Sequence, residues 1–178
     1  MKACMILADG FEEMEAMSSF SLLNRGGIEV DLYGLGDKNV SGKNGLKVTE
    51  LKPFSALNKA DYAALVLPGG PHYQKLEASA ELKNLIKDFL AEGKKVAAVC
   101  ASPTILGHMG LLKGKTYTCF TAMNEDFGGT YSYEHAVTDG NIITGKGPGS
   151  SIEFGLEIVK QLKGEKTAQE VSKHMYYK

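Results

Sequence analysis

The segment Ala97-Ala98-Val99-Cys100-Ala101-Ser102-Pro103 carries an apolar run straight into a cysteine and then into small residues that open a helix. A side chain at such a turn is pushed out at the carboxyl edge of a sheet, with the first amides of the next helix beside it: a nucleophile elbow. Those amides favour negative charge, so the spacing predicts a thiol that loses its proton more easily than a free cysteine, and the thiolate is the reactive form. The other reading of Cys100 is a small buried apolar residue at a strand end. Glu15, early in the first helix, is the natural partner for the sulfur; if it turns back to the thiol, the two must share a proton or strain the site. Alternatively, Glu12, Glu13 and Glu15 only complement the helix dipole on a solvated face. Gly69 and Gly70 let the backbone approach a ligand closely, so the amides of Gly70 and Ala101 could form an oxyanion pocket, unless the pair is a turn that needs positive φ. Of the histidines at 72, 108, 135 and 174, His72 alone follows one of these loops. It reads as a general base, as a substrate-orienting donor, or as a plain surface histidine.

The elements that must hold these residues alternate along the chain. Lys2 to Ala8 reads as a buried strand ended by Asp9-Gly10, and Met14, Met17 and Phe20 mark one face of a helix that stops at Gly26-Gly27. Ile28 to Tyr33 resumes as a strand, Leu35 to Lys47 looks like a hairpin or loop excursion, and Leu46 to Leu51 a short strand. Tyr62 to Leu67 is a strand that ends at Pro68-Gly69-Gly70-Pro71. Ser79 is the expected N-cap of a helix running to Gly93, followed by a strand over Lys95 to Val99 and a short helix over Pro103 to Met109. Lys115 to Cys119, His135 to Thr138 and Asn141 to Thr144 read as strands, the last two joined by Asp139-Gly140. Ser150 with Glu153, and Thr167 with Glu170, match capping boxes for two closing helices. Alternating apolar strands and amphipathic helices imply an α/β three-layer sandwich with a mostly parallel central sheet. In such sheets ligands bind outside the carboxyl ends of the strands, where Ala8 to Glu15, Pro68 to Tyr73 and Cys100 to Thr104 all lie. With no repeat, low-complexity tract or linker, residues 1–178 are expected to form one domain.

Composition narrows the function classes. The chain has 178 residues, 43% hydrophobic and 23% charged, with a formal net charge of -1, enough to bury a real core and too neutral to argue for nucleic acid or an anionic membrane surface. No apolar run approaches the length of a membrane span, and no charged-then-apolar leader precedes the first strand, so a cytoplasmic location is expected. Cys4, Cys100 and Cys119 are an odd, dispersed set, unlike a disulfide framework or a metal site, and they suit a reducing compartment. Cys4, within the first strand, reads as core.

Four separated motifs, Ala8-Asp9-Gly10-Phe11-Glu12-Glu13-Met14-Glu15, Val66-Leu67-Pro68-Gly69-Gly70, the Cys100 elbow, and Thr144-Gly145-Lys146-Gly147-Pro148-Gly149-Ser150, stand in an order that resembles the ThiJ/PfpI superfamily. Within it they are most similar to the branch of the Parkinsonism-associated deglycase and its bacterial relatives. The resemblance implies a flavodoxin-like sandwich, commonly a homodimer, with Cys100 as the reactive thiol and Glu15 as its protonated hydrogen-bond partner. It also implies a cofactor-independent glyoxalase or deglycase acting on small aldehydes and dicarbonyls such as methylglyoxal, or on their early adducts. A redox-responsive stress protein or chaperone that senses oxidation at Cys100 is the alternative. Two departures matter. Ala101 stands where the peptidase branch has a histidine, which disfavours an amidase or peptidase. Cys119 stands where the best-known animal relative has a histidine near the cysteine, so Cys119 is either a second thiol of the site, able to resolve an oxidised Cys100, or a buried inert one.

Overall fold

The computed structural model describes residues 1–177. Its centre is a seven-stranded sheet. Strand β1 (Lys2–Leu7) leads through α1 (Glu13–Arg25) to β2 (Glu29–Gly34); a two-stranded antiparallel excursion, β3 (Val40–Ser41) and β4 (Lys47–Val48), precedes the edge strand β5 (Lys52–Pro53). Then come β6 (Ala64–Leu67), α2 (Tyr73–Ala78), α3 (Ala80–Ala91), β7 (Lys95–Val99) and α4 (Pro103–His108). A small parallel pair, β8 (Thr116–Tyr117) and β9 (Thr130–Tyr131), is followed by the hairpin β10 (Ala136–Asp139) and β11 (Ile142–Gly145), then α5 (Ser151–Lys163) and α6 (Glu165–His174). The sheet order is β10-β11-β7-β6-β1-β2-β5, parallel except where β10 meets β11.

The two-residue period of a strand divides the core into two layers. From β1, Ala3, Met5 and Leu7 enter the layer with Leu22, Leu23, Phe154, Ile158 and Val159, under α1 and α5. Cys4 and Ile6 enter the opposite layer with Leu82, Ile86, Phe89 and Ile105, under α3 and α4. Each fully buried Leu, Ile or Phe contributes roughly 1.5–3 kcal/mol, so both faces of the sheet are sealed by helices, as parallel sheets require. The expected α/β sandwich is the observed one.

The order of strand addition reverses between β1 and β6, although the two run parallel: β2 lies to one side of β1, and β6 and β7 to the other. That switch point opens a crevice at the carboxyl ends of the strands. The first turn of α1 and the turns after β6 and β7 carry Glu15, Gly69 and Cys100 to it.

Some local expectations fail for identifiable reasons. Leu46 to Leu51 is not one strand: Lys47–Val48 pairs with Val40–Ser41, and the separate Lys52–Pro53 joins the main sheet. Lys115 to Cys119 shrinks to Thr116–Tyr117, outside the main sheet. Ser150 does not cap α5, because its Oγ meets His135 Nδ1 at 2.9 Å. The last helix starts at Glu165 behind Gly164, at φ +90°, and the Thr167 hydroxyl donates to the Lys163 carbonyl at 3.1 Å instead of capping. Ser79 caps α3 as expected, accepting from the Leu82 amide at 3.1 Å. Among the described residues, no helix is long and apolar enough to cross a membrane.

Candidate active site

Cys100 follows β7 with φ +64°, one of three non-glycine residues among those described in the left-handed region. Such a conformation costs of order 1–3 kcal/mol and persists only where the surroundings enforce it. Here the Cys100 amide donates to the Gly145 carbonyl at 2.9 Å, and the Phe120 amide donates to the Cys100 carbonyl at 2.8 Å. The elbow is thereby clamped from β11 and from the loop after β8.

The Gly70 and Ala101 amides favour charge on the Cys100 sulfur and Glu15 opposes it, with Glu15 Oε2 and Cys100 Cβ standing on either side of Gly69. Glu15 projects inward from the first turn of α1 and is fully buried. Its Oε2 accepts the Gly69 amide proton at 2.6 Å, while Oε1 has no hydrogen-bond partner among the described residues. Gly69 is forced by this crowding: a Cβ there would lie 2.5 Å from Cys100 Cβ and 2.6 Å from Glu15 Oε2. Gly70 takes φ +93°, and a Cβ on it would press on the Gly10 carbonyl and the Glu12 amide. The reading of a turn that needs positive φ holds at Gly70, whose amide favours charge on the Cys100 sulfur.

Burial pushes the Glu15 carboxyl up to about 7, against the opposing pull of the Gly69 amide. At neutral pH both its acid and its carboxylate are accessible. The expectation of a readily ionised thiol needs correction. Burial first, and then the charge and hydrogen bond of Glu15, push the Cys100 thiol up, and the Ala101 and Gly70 amides only partly offset them. Protonation of Glu15 removes the repulsion and turns the carboxyl into a donor toward sulfur, so the two groups titrate as a pair.

The whole chain supports a relationship as well as the site does. A family model described as the DJ-1/PfpI family matches residues 1–161. Protein DJ-1alpha of Drosophila melanogaster is 37% identical over 181 residues, covering 98% of this chain and 83% of that protein. A deglycase of Pyrococcus abyssi is 30% identical over 166 residues, covering 92% of this chain and 100% of that protein. The crystal structure of Drosophila melanogaster DJ-1beta superposes with a TM-score of 0.91 at 33% identity, covering 99% of this chain and 98% of that one.

The chain belongs to the DJ-1/PfpI family. Against that background the remaining candidate residues sort themselves. His72 is fully buried, with Nδ1 accepting from the Ala8 amide at 3.2 Å and Nε2 donating to the Pro68 carbonyl at 2.7 Å. Neither nitrogen is left for a substrate, and burial lowers its pKa to about 4. The ring ties the end of β1 to the Gly69 loop, so a general-base or substrate-orienting role does not fit, nor does a surface position. Cys119 is fully buried in the layer opposite that of Cys100. Its thiol points to the Phe120 carbonyl at 3.6 Å, and burial pushes it up to about 11. All three cysteines are free, and no three His, Cys, Asp or Glu side chains among the described residues gather into a metal site.

Ser102 and Lys43 shape this DJ-1/PfpI site without having stood out in the sequence, and Glu12 and Glu13 do so in ways that local spacing does not show. The Ser102 hydroxyl donates to the Pro68 carbonyl at 2.6 Å, so Pro68 receives donors from both His72 and the elbow. Glu12 caps α1 through the Met14 amide and pairs with Lys43, while Glu13 accepts from the Asn44 amide at 2.7 Å and side chain at 2.8 Å. The acidic first turn is thus neither a uniform solvated face nor a pure dipole complement: one carboxylate caps, one grips the hairpin, and one faces the sulfur. A carboxylate and a lysine some thirty residues apart give no local signal; only the folded hairpin brings them together.

Proposed function

We propose that this protein is a cysteine-dependent enzyme of the glyoxalase or deglycase type that acts, without a cofactor, on reactive dicarbonyls such as methylglyoxal or on their early adducts. The observation that supports this best is a cysteine held at a positive-φ elbow with a buried carboxyl next to it across the side-chain-free Gly69.

In this reading the Cys100 thiolate adds to the aldehyde carbon. A C–S bond forms, the carbonyl electron pair moves to oxygen beside the Gly70 and Ala101 amides, and protonation of that oxygen gives a hemithioacetal. The Glu15 carboxylate takes the hydrogen from the former aldehyde carbon as a proton and returns it to the neighbouring ketone carbon, leaving a thioester with an adjacent hydroxyl. Water then adds, the C–S bond breaks, and a 2-hydroxy acid leaves as the thiolate is restored. One carbon is oxidised and its neighbour reduced, so no external oxidant or reductant enters. A carboxyl whose pKa lies at about 7 suits such two-way proton transfer near neutrality.

The test is lactate formation from methylglyoxal by the wild type, Cys100→Ala and Glu15→Gln. Loss in both variants is expected; turnover unchanged in the cysteine variant removes the mechanism.

A second reading rests on Glu15 Oε1, buried without a partner among the described residues: an acid there can donate to an oxidised sulfur. Selective addition of two oxygens to Cys100 on peroxide titration, with no dicarbonyl turnover, favours a redox sensor.

A further inference from the structure

The connection between β3 and β4 is seated firmly on the start of α1. Lys43 donates its amide to the Phe11 carbonyl at 2.9 Å, Phe11 and Gly42 form a β-bridge, and a Cβ at Gly42 would run into the Glu13 carboxylate at 2.3 Å. From this seat the Lys43 ammonium pairs with Glu12, their side chains being 39% and 4% exposed. Glu12 in turn donates its amide to the Gly69 carbonyl at 2.8 Å, and its nitrogen lies 2.6 Å from where a Cβ of Gly70 would stand. The ion pair is therefore fastened to the same loop that aims an amide at Cys100. The positive charge of Lys43 is felt at both Cys100 and Glu15.

An ammonium carries three N–H donors. Glu12 approaches from the buried side, so part of the ammonium stays open to solvent, while its anchor prevents the free swing usual for a surface lysine. Of the other carboxylates near this mouth, Glu13 holds Asn44 and Asp9 lies 3.6 Å from Lys75, while Glu15 is buried and faces the sulfur itself. Of this pair the ammonium is the more exposed member, at 39% against 4% for Glu12.

We propose that Lys43 is a specificity-determining residue that selects electrophiles bearing a carboxylate or phosphate next to the reacting carbon. This deepens the reading of Cys100 as the reactive sulfur and names the class of aldehyde or dicarbonyl that the site prefers.

Alkylation of Cys100 by iodoacetate and by iodoacetamide, followed by intact mass and peptide mapping, tests it. Both reagents form the same S–C bond and expel iodide; they differ only in charge. The rate ratio of iodoacetate to iodoacetamide is expected to exceed that of glutathione by about threefold, the size of an exposed ion pair. It falls to the glutathione ratio or below in Lys43→Met and is retained in Lys43→Arg. Added salt slows iodoacetate and spares iodoacetamide in the wild type, which decides the matter even if Lys43→Met does not fold. A wild-type ratio no higher than that of glutathione, or one untouched by Lys43→Met, overturns the proposal. Dicarbonyl turnover does not enter the measurement: charge selectivity without lactate formation defeats the proposed reaction and leaves the role of Lys43 standing, and the converse also holds.

Discussion

Gly69 donates its amide to Glu15 Oε2 at 2.6 Å, and the same glycine leaves no room for a Cβ between that carboxylate and Cys100. A backbone amide thus orients the acid, and the missing side chain lets acid and sulfur meet. The two facts make Gly69 as much a part of the site as the groups that react.

Gly69→Ala is therefore expected to damage the site from within. The added methyl meets Cys100, Glu15 and the Val99 carbonyl, all at under 3 Å, and overpacking of this kind costs about 1–3 kcal/mol. Urea denaturation measures the loss, and alkylation of Cys100 in the folded variant shows whether the sulfur has moved. Wild-type values in both assays would mean that the loop yields freely.

The raised pKa of Glu15 has a definite sign in stability. Folding lifts this carboxyl from its ordinary value of 4.5 to about 7, so its contribution is fully present below pH 4.5 and is lost as the pH rises through 7. Glu15→Gln has no such dependence. Relative to the wild type it should gain up to about 3 kcal/mol between pH 4.5 and pH 8, from 1.36 kcal/mol per unit. Parallel stability curves for the two proteins would show that Glu15 titrates normally.

His72 works in the opposite direction. Its pKa, lowered from 6.5 to about 4, makes stability that is present above 6.5 disappear as the pH falls through 4. Removing the ring also strands the Ala8 amide and the Pro68 carbonyl, at about 1–3 kcal/mol for each buried group left unpaired. His72→Ala should thus be strongly destabilised at neutral pH. The pH profile of activity in the wild type should show no limb that His72→Gln removes.

Cys119, pushed up to about 11 by burial and packed in the other layer from Cys100, stays protonated at neutral pH. Cys119→Ala is expected to keep turnover within about twofold. Peroxide treatment of the wild type should give oxygen adducts on Cys100 rather than a bond between the two sulfurs; a disulfide on peptide mapping refutes this.

How far the sequence reveals this molecule depends on the range of the interaction. Lys95 to Val99 and the elbow after it are legible because an apolar strand, a small-residue turn and Pro103 are local signals, and the Ser79 cap is legible for the same reason. The Ser150 box fails because His135, fifteen residues away, takes the hydroxyl. His72 reads as a crevice residue since it follows the Gly-Gly turn; its burial depends on β1, which local spacing does not report. Sequence reasoning finds Cys100, Glu15, Gly69, Gly70 and Ala101, all of which meet. It overestimates the acidity of the thiol because a motif shows the amides and hides the desolvation.

The central claim is that Cys100, alone of the three thiols, is the reacting atom. It is 9% exposed, whereas Cys4 and Cys119 are fully buried; burial pushes all three thiols up, so access to the sulfur, not acidity, sets Cys100 apart. Stoichiometric iodoacetamide at neutral pH, with peptide mapping and a lactate assay on the same sample, tests this most directly. The expected result is a single modification at Cys100 and loss of methylglyoxal turnover in proportion to it; modification of Cys4 or Cys119 in its place, or full turnover with Cys100 blocked, would contradict the account.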